Sequence, residues 1–228
     1  MKFIVGFLIL LLFNHNSFAQ KKPTTYFQRK PEYATAAKPE TAYQIKPVTL
    51  LAKDLTKSLI PKGKLLKAVK YRDLLGFQVL IASRFDTTKR ITGENSADEN
   101  TSEICVKHYR MVNGVLIQTW AVTESKSDTY DFSLDFNNDI FSITDLNNNG
   151  KGEVWISCSL IVGTVKGELK TIMYEDSIKH TMTGTLRSEI GSGMMQGGEF
   201  RFDKAFMTTN KEIKNYAITR WNRINGIK

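Results

Sequence analysis

The residues best suited to a specific chemistry form the run Asp-Leu-Asn-Asn-Asn-Gly-Lys-Gly-Glu at positions 145–153. Oxygen-bearing side chains stand at alternate positions, Asp145, Asn147 and Asn149, and a glycine precedes the closing carboxylate of Glu153. Calcium takes about six to eight oxygen ligands, and the backbone carbonyl of Lys151 would add one more. The spacing therefore predicts a calcium-type loop in which all five of these residues are ligands.

The predicted affinity is weak because only Asp145 and Glu153 carry a formal negative charge. Loops of this charge fall toward the roughly 0.1–1 mM range of extracellular modules. The loop is not an EF-hand, since position 12 is Ile156 rather than a bidentate glutamate. The run Asn-Asn-Gly also favours a tight hairpin turn whose side chains cap their own backbone, and this interpretation is compatible with the first.

No segment carries an equally specific indication of catalysis. His108 and His180 stand alone on separate predicted strands, and a lone histidine is more often structural than catalytic. A second acidic run contains Asp131, Asp135 and Asp139, which could serve acid–base chemistry only if no turn separates them. Asn137-Asn138 predicts such a turn.

The first 19 residues follow the order of a secretory signal peptide. Lys2 precedes an apolar run over residues 3–13, and small residues lead to Ala19. We expect cleavage before Gln20 and a secreted or periplasmic location. The apolar run is shorter than the roughly 20 residues that span a bilayer, and no later stretch is long enough, so no transmembrane span is expected after cleavage.

The basic character of the chain is concentrated near its N-terminus. Residues 20–72 carry 13 Lys and Arg against three acids, while the whole chain has a net charge of +9. Residues 20–47 are rich in Pro and Lys and predict an extended tether. An exported arm of this kind favours anionic surface glycans or lipid head groups rather than nucleic acid, and a merely solubilising linker is the simpler alternative. The oligomeric state is not indicated.

Two cysteines, Cys105 and Cys158, lie in segments that both predict strands. Export to an oxidising compartment would allow them to form a disulfide if the fold brings them together. Two free, buried thiols are the alternative.

The hydrophobic periodicity predicts one β-rich α+β domain over residues 48–228, with an antiparallel sheet of consecutive hairpins and a C-terminal helix packed on it. Asn113-Gly114 is a tight hairpin signal, and residues 86–101 predict an exposed polar loop. Helical spacing of leucines favours a short helix at 48–60. Thr209 and Glu212 predict a capping box for the last helix.

The segments Phe141-Ser-Ile-Thr-Asp145-Leu-Asn-Asn-Asn-Gly-Lys-Gly-Glu153-Val and Leu169-Lys-Thr-Ile-Met-Tyr-Glu175 resemble a family of exported Bacteroidetes-type proteins. Some of its members are labelled surface polysaccharide biosynthesis proteins. In that family the loop is usually Asp-x-Asp-x-Asp-Gly-x-x-Glu, so Asn147 and Asn149 are neutral substitutions here. The resemblance implies a role at the cell surface without specifying a reaction.

Three functions are compatible with these features. The leading hypothesis is a non-catalytic envelope-associated protein in which one calcium-type loop stabilises a hairpin. The alternative is a glycan-processing enzyme that uses Asp145, Glu153 or the acids of the 131–139 run. A weaker third hypothesis is a partner-binding module that uses the 86–101 segment.

Overall fold

The computed structural model describes residues 45–59, 61–92, 96–163, 167–190 and 193–227. All of them belong to a compact unit formed by residues 41–228. The predicted signal peptide and most of the predicted tether lie outside the described residues. Within the described ranges, no helix combines the length and the apolar content needed to cross a bilayer.

The first sheet is antiparallel, and its five strands stand in sequence order. The strands are β1 (Val48–Thr49), β2 (Lys64–Asp73), β3 (Gly76–Ile91), β4 (Ala97–Val112) and β5 (Val115–Asp128). Asn113 has a positive φ of 50° and Gly114 one of 79°, as a two-residue hairpin turn requires. The predicted Asn-Gly hairpin is therefore confirmed.

The second sheet is also antiparallel, with the strand order β12-β9-β8-β7-β6. The strands of the second half of the chain are β6 (Phe132–Thr144), β7 (Glu153–Val162), β8 (Glu168–Glu175), β9 (Ile178–Thr185), β10 (Ser188–Ile190), β11 (Met194–Gln196) and β12 (Phe200–Phe202). Strands β10 and β11 form a separate small hairpin. Two helices follow, α1 (Lys204–Met207) and α2 (Lys211–Ile224). The predicted β-rich α+β class is confirmed.

The two sheets pack face to face around a central apolar cluster. Leu80 and Val106 of the first sheet and Ile156 and Ile172 of the second are fully buried in it. Each strand alternates between this inner face and an outer face, as the period of two requires. The fold is thus a sandwich in which each sheet also needs a cover on its outer side.

Helix α2 covers the outer face of the second sheet, as predicted. Ile213, Ala217 and Trp221 are buried against Trp155 and Met173 of the sheet. The helix cap differs from the prediction, because Asn210 rather than Thr209 is the N-cap residue and accepts a hydrogen bond from the Ile213 amide at 2.9 Å.

Arg220 of α2 carries a charged side chain, but only 2% of the residue is exposed. Its guanidinium donates to the hydroxyls of Ser157 at 2.9 Å and Ser142 at 3.1 Å, and to the backbone carbonyl of Asp139 at 3.2 Å. Burial lowers its pKa. Neutral oxygens of the sheet therefore accept the hydrogen bonds of a buried cation on α2.

Residues 50–59 cover the outer face of the first sheet. The predicted helix at 48–60 is wrong, because this segment contains strand β1 and two single 3₁₀ turns, Ala52–Asp54 and Lys57–Leu59. Leu55 and Leu59 still pack inward, against a cluster of the sheet. The leucine spacing thus coincides with the burial of Leu55 and Leu59 and not with a helix. Ile45 contacts the central cluster, so the folded domain includes residues before Val48.

Two further predictions are corrected by the strands. Residues 86–101 do not form a polar loop, because β3 continues to Ile91 and β4 begins at Ala97. The polar composition reflects a ribbon that extends beyond the sandwich. Residues 137–138 do not reverse the chain, since the pairing of β6 with β7 steps from Phe136 opposite Cys158 to Phe141 opposite Ile156. The intervening residues form an irregularity within one strand.

Of the two alternatives for the cysteines, the structure shows the second, because both Cys105 and Cys158 are free and buried. Cys158 packs with Ile104 in a cluster between the sheets. Because neighbouring residues of a strand point to opposite faces, Cys105 is directed away from that cluster, and its sulfur contacts the Thr123 hydroxyl instead. Burial raises the pKa of the Cys158 thiol to about 12. The two sulfurs cannot pair without a change of strand register.

We expect both thiols to be protected in the folded protein and to react together on unfolding. Titration with Ellman's reagent should detect no fast-reacting thiol in the native chain and two thiols in denaturant. A reductant should leave the unfolding temperature unchanged. Fewer than two thiols in denaturant, recovered only after reduction, would contradict the strand orientation described above.

Candidate functional site

Four strand connections gather at one end of the sandwich, because consecutive strands run antiparallel. These connections are residues 74–75, 113–114, 145–152 and 176–177. The Leu74 amide donates to the Gly150 carbonyl at 2.8 Å, and the Arg110 guanidinium bonds the Asp176 carboxylate at 2.5 Å. The predicted calcium-type loop therefore lies at an end where both sheets meet, which we call the loop end.

The first half of the 145–153 loop is closed by its own side chains. The two carboxylate oxygens of Asp145 accept from the amides of Asn149 and Gly150, each at 3.0 Å. The side-chain oxygen of Asn147 accepts from the Asn149 amide at 3.2 Å, and that of Asn149 accepts from the Lys151 amide at 2.8 Å. Each of these oxygens keeps a second lone pair.

Glu153 has a different environment from Asp145, because its side chain is fully buried. Its carboxylate accepts from the amides of Leu146 at 2.9 Å and Asn147 at 3.4 Å, and from the Thr144 hydroxyl at 2.8 Å. The Thr144 hydroxyl in turn accepts from Trp155 Nε1 at 2.8 Å. Burial raises the pKa of Glu153, while these donors lower it. Three donors thus engage the carboxylate, so its role in this geometry is to anchor the start of the loop.

Sequence reasoning missed Glu175, which lies directly opposite Glu153 on the neighbouring strand. Its Oε1 accepts from the side-chain amides of Asn147 and Asn149, both at 2.7 Å. The two asparagines therefore bridge the loop to β8. The Ile-Met-Tyr-Glu strand was visible in the sequence, but its register against β7 was not.

Asp73 was also missed, and it joins the first sheet to the loop. One of its oxygens accepts from the Leu75 amide at 2.8 Å and the Gln78 side chain at 3.1 Å. The other accepts from the Gly152 amide at 3.1 Å. Gly150 has a φ of +76°, and a β-carbon there would lie 2.4 Å from Leu74. The positive φ therefore favours glycine at this position, and a larger residue would also displace the Leu74 side chain.

A stack of aromatic rings continues inward from the loop end. The His108 ring lies 4.8 Å from the Trp120 ring, which lies 4.1 Å from the Tyr174 ring on the other sheet. His108 Nε2 is 3.1 Å from the Tyr71 hydroxyl, and Nδ1 is 2.5 Å from the Thr119 hydroxyl. Burial lowers the pKa of His108 to about 4. The imidazole is therefore a neutral structural group at neutral pH.

The acids of the 131–139 run do not converge on a common site. Asp135 forms an ion pair with Arg84, and Asp139 contributes its backbone carbonyl to Arg220. Asp131 lines a polar cavity of about 380 Å³ beside Arg84 and Asp86. In the described part of the chain, no group of three or more His, Cys, Asp or Glu side chains could hold a metal ion.

A larger cavity of about 530 Å³ lies at the opposite end of the sandwich from the loop. Its lining includes Glu124 and Lys170, whose carboxylate and ammonium groups are 2.6 Å apart, and the buried Cys158. None of the predicted ligands of the 145–153 loop lines it. The acidic loop and this cavity are therefore separate features.

The fold and the loop define a β-sandwich of two antiparallel sheets with a C-terminal helix and one hydrogen-bonded acidic loop at the end where the sheets meet. The chain matches no protein-family model, no curated protein and no solved structure. The resemblance to exported Bacteroidetes-type proteins stays a prediction.

We expect Glu153→Ala to destabilise the protein, because it leaves two partly buried amides and a hydroxyl without their acceptor. The free energy of unfolding should fall by roughly 2 kcal/mol or more. Glu153→Gln, which keeps one acceptor oxygen, should fall between the wild type and Glu153→Ala in urea unfolding. Exposed Glu168→Ala is the matched control. Equal stability of Glu153→Ala and Glu168→Ala would contradict the anchoring role.

We expect a loss of stability on acidification that depends on His108. The unfolded imidazole takes up a proton below its ordinary pKa of 6.5, whereas the folded one does so only near 4. The unfolded state therefore binds more protons in this window, and stability falls as the pH drops from 6.5 to about 4. The full difference corresponds to roughly 3 kcal/mol.

The measurement is urea unfolding of the wild type and His108→Gln across that pH window. Glu153 titrates in both proteins, so the difference between them isolates the imidazole. Parallel pH profiles of the two proteins would contradict a neutral, buried His108.

Proposed function

We propose that this chain is a non-catalytic protein of the cell envelope, secreted or periplasmic, in which residues 145–153 form a weak calcium-responsive connection between β6 and β7. The observation that carries the proposal is the closed first half of the loop. There the side-chain oxygens of Asp145, Asn147 and Asn149 each accept one backbone hydrogen bond and keep one lone pair.

The residues fit calcium in part. Asp145, Asn147 and Asn149 supply oxygens of the kind calcium prefers, and Lys151 could add its backbone carbonyl. Glu153 does not fit as a ligand in this geometry, because its carboxylate is engaged by Leu146, Asn147 and Thr144 groups. The proposed set therefore carries one formal charge, and water would complete the coordination. This composition favours weak, structural binding.

The acids named in the alternative hypothesis have contacts that favour a structural role over acid–base catalysis. Glu153 is fully buried, and Asp135 is paired with Arg84. Hydrolysis of a glycosidic bond needs two carboxylates that face one substrate about 5–10 Å apart. Asp145 contacts backbone amides of its own loop, and it does not line the 530 Å³ cavity. The contacts of these acids thus favour the envelope protein over the glycan-processing enzyme.

Envelope association is supported by the sequence pattern of export and by the basic segment over residues 20–72. The proposed partners of that segment are anionic surface glycans or lipid head groups, to which a cluster of cations is attracted. A link to surface polysaccharide follows only from the family resemblance.

We expect calcium to raise the unfolding temperature of residues 20–228 relative to EGTA. At a calcium concentration about ten times the Kd, a single site stabilises the folded state by about 1.4 kcal/mol, which corresponds to roughly 3–6 °C for a domain of this size. Asp145→Ala should abolish the shift, whereas Asp131→Ala, which removes an exposed acid elsewhere, should not.

The double substitution Asn147→Asp/Asn149→Asp provides the opposite test. It adds two charges to the proposed ligand set and should lower the calcium concentration needed for half of the shift. A chain whose unfolding temperature is insensitive to calcium both as the wild type and with these two aspartates has no calcium site in the loop.

A further inference from the structure

We propose that the loop end of the first sheet docks on an anionic phospholipid bilayer by inserting the tips of two hairpins. The inference deepens the proposed envelope association and rests on it, but it is independent of calcium binding. It starts from an unusual distribution of apolar side chains. The exposed apolar side chains of the two hairpins are Leu74, Phe77, Met111, Val112, Val115 and Ile117.

These side chains are exposed, whereas apolar residues nearer the middle of the same strands, such as Leu80 and Val106, are buried. Leu74 at the β2–β3 turn is 65% exposed, and Val115 at the β4–β5 turn is 63% exposed. The other four are between 41% and 49% exposed. Contiguous exposed apolar surface of this kind marks an interaction site more often than scattered single residues do.

The strand register arranges the tip of the β4–β5 hairpin in successive rows. Val112 faces Val115 in the outermost row, Met111 faces Leu116 in the second, and Arg110 faces Ile117 in the third. Rows are about 3.3 Å apart, so the apolar rows extend roughly 7 Å from the tip. Elements that lie in the interface of a bilayer insert their apolar side chains to a similar depth of about 5–10 Å.

Cations flank these rows, one beside the second row and one behind the third. Gln78 faces Arg110, so the preceding residue, Phe77, belongs to the second row with Met111. Arg72 faces Phe77 and lies over its ring at 5.2 Å, and Lys70 lies about two rows farther from the tip.

Within the two hairpin segments, residues 70–77 and 107–118, acidic side chains do not offset Lys70, Arg72 and Lys107, whereas Arg110 is paired with Asp176 of a neighbouring connection. The segments contain four Lys and Arg but one acid. That acid, Asp73, is buried and holds three hydrogen bonds. The tips therefore combine an apolar end with a cationic collar, which is the pattern expected for anionic lipid.

The shape of the tips favours a bilayer over a second protein. A standard protein interface buries about 800 Å² and about 20–30 residues on each side. Here six apolar side chains project from two hairpin ends. Projecting aliphatic groups can enter a fluid interface without a matching pocket.

The test uses residues 41–228, the compact unit that contains every described element, so that the basic tether cannot contribute. Partition onto vesicles is measured by co-sedimentation, with phosphatidylcholine vesicles compared with mixed phosphatidylcholine–phosphatidylglycerol vesicles. We expect binding to the mixed vesicles. Val112→Ser/Val115→Ser should weaken the partition about tenfold or more, because it removes two inserted aliphatic groups.

The matched control is Ile91→Ser/Ile161→Ser, which removes two exposed aliphatic side chains from the opposite end of the sandwich and should leave the partition unchanged. Lys70→Gln/Arg72→Gln should weaken binding to the anionic vesicles by about fivefold per charge, without an effect on any binding to phosphatidylcholine. We expect all of these variants to have the unfolding temperature of the wild type.

Several outcomes would overturn the proposal. Equal losses in the two serine pairs would show that the tips are not the contact. Self-association in sedimentation velocity without lipid, abolished by Val112→Ser/Val115→Ser, would assign the tips to a second copy of the chain. Binding by residues 20–228 but not by 41–228 would show that the tether, and not the hairpin tips, binds the vesicles. An absence of vesicle binding by both would defeat the tip proposal and lipid-mediated envelope association together.

Discussion

The arrangement of the loop end depends on one buried carboxylate, that of Asp73. It holds the β2–β3 turn through Leu75 and Gln78 and reaches across to the Gly152 amide of the other sheet. Because these donors are largely shielded from water, loss of the carboxylate would leave polar groups unsatisfied in both sheets at once. The same link brings Leu74 against Gly150 and thereby sets the position of the acidic loop relative to the first sheet.

Polar groups define this protein as much as its apolar core does. Glu153 holds the start of the acidic loop, Arg220 joins α2 to the sheet, and His108 lies between Tyr71 and Thr119 in an aromatic stack. Each is buried and has partners of its own. Buried polar groups with satisfied hydrogen bonds favour one arrangement of the surrounding elements, because an alternative register would leave them unpaired. Glu153, which was a candidate for chemistry, therefore has structural contacts.

Sequence patterns predicted features that depend on neighbouring residues better than features that depend on distant contacts. The Asn113-Gly114 hairpin was predictable because a two-residue turn is decided by its own backbone preferences. Residues 50–59 were wrongly assigned to a helix although Leu55 and Leu59 are buried, since periodicity alone does not distinguish a helix from irregular chain that packs on a sheet. The 86–101 ribbon was missed because both of its faces are polar, so the alternation that reveals a strand is absent.

By itself, the sequence determined the β-rich class, the hairpin order, the C-terminal helix and the position of the acidic loop, because these depend on local patterns of residue type. Only the tertiary structure decided that Glu153 is an anchor, that Glu175 and Asp73 belong to the same end, and that Cys105 points away from Cys158. These outcomes depend on register and on which face each side chain occupies. A register shift of one residue would move every side chain of a strand to the opposite face of the sheet. No local sequence pattern specifies that register.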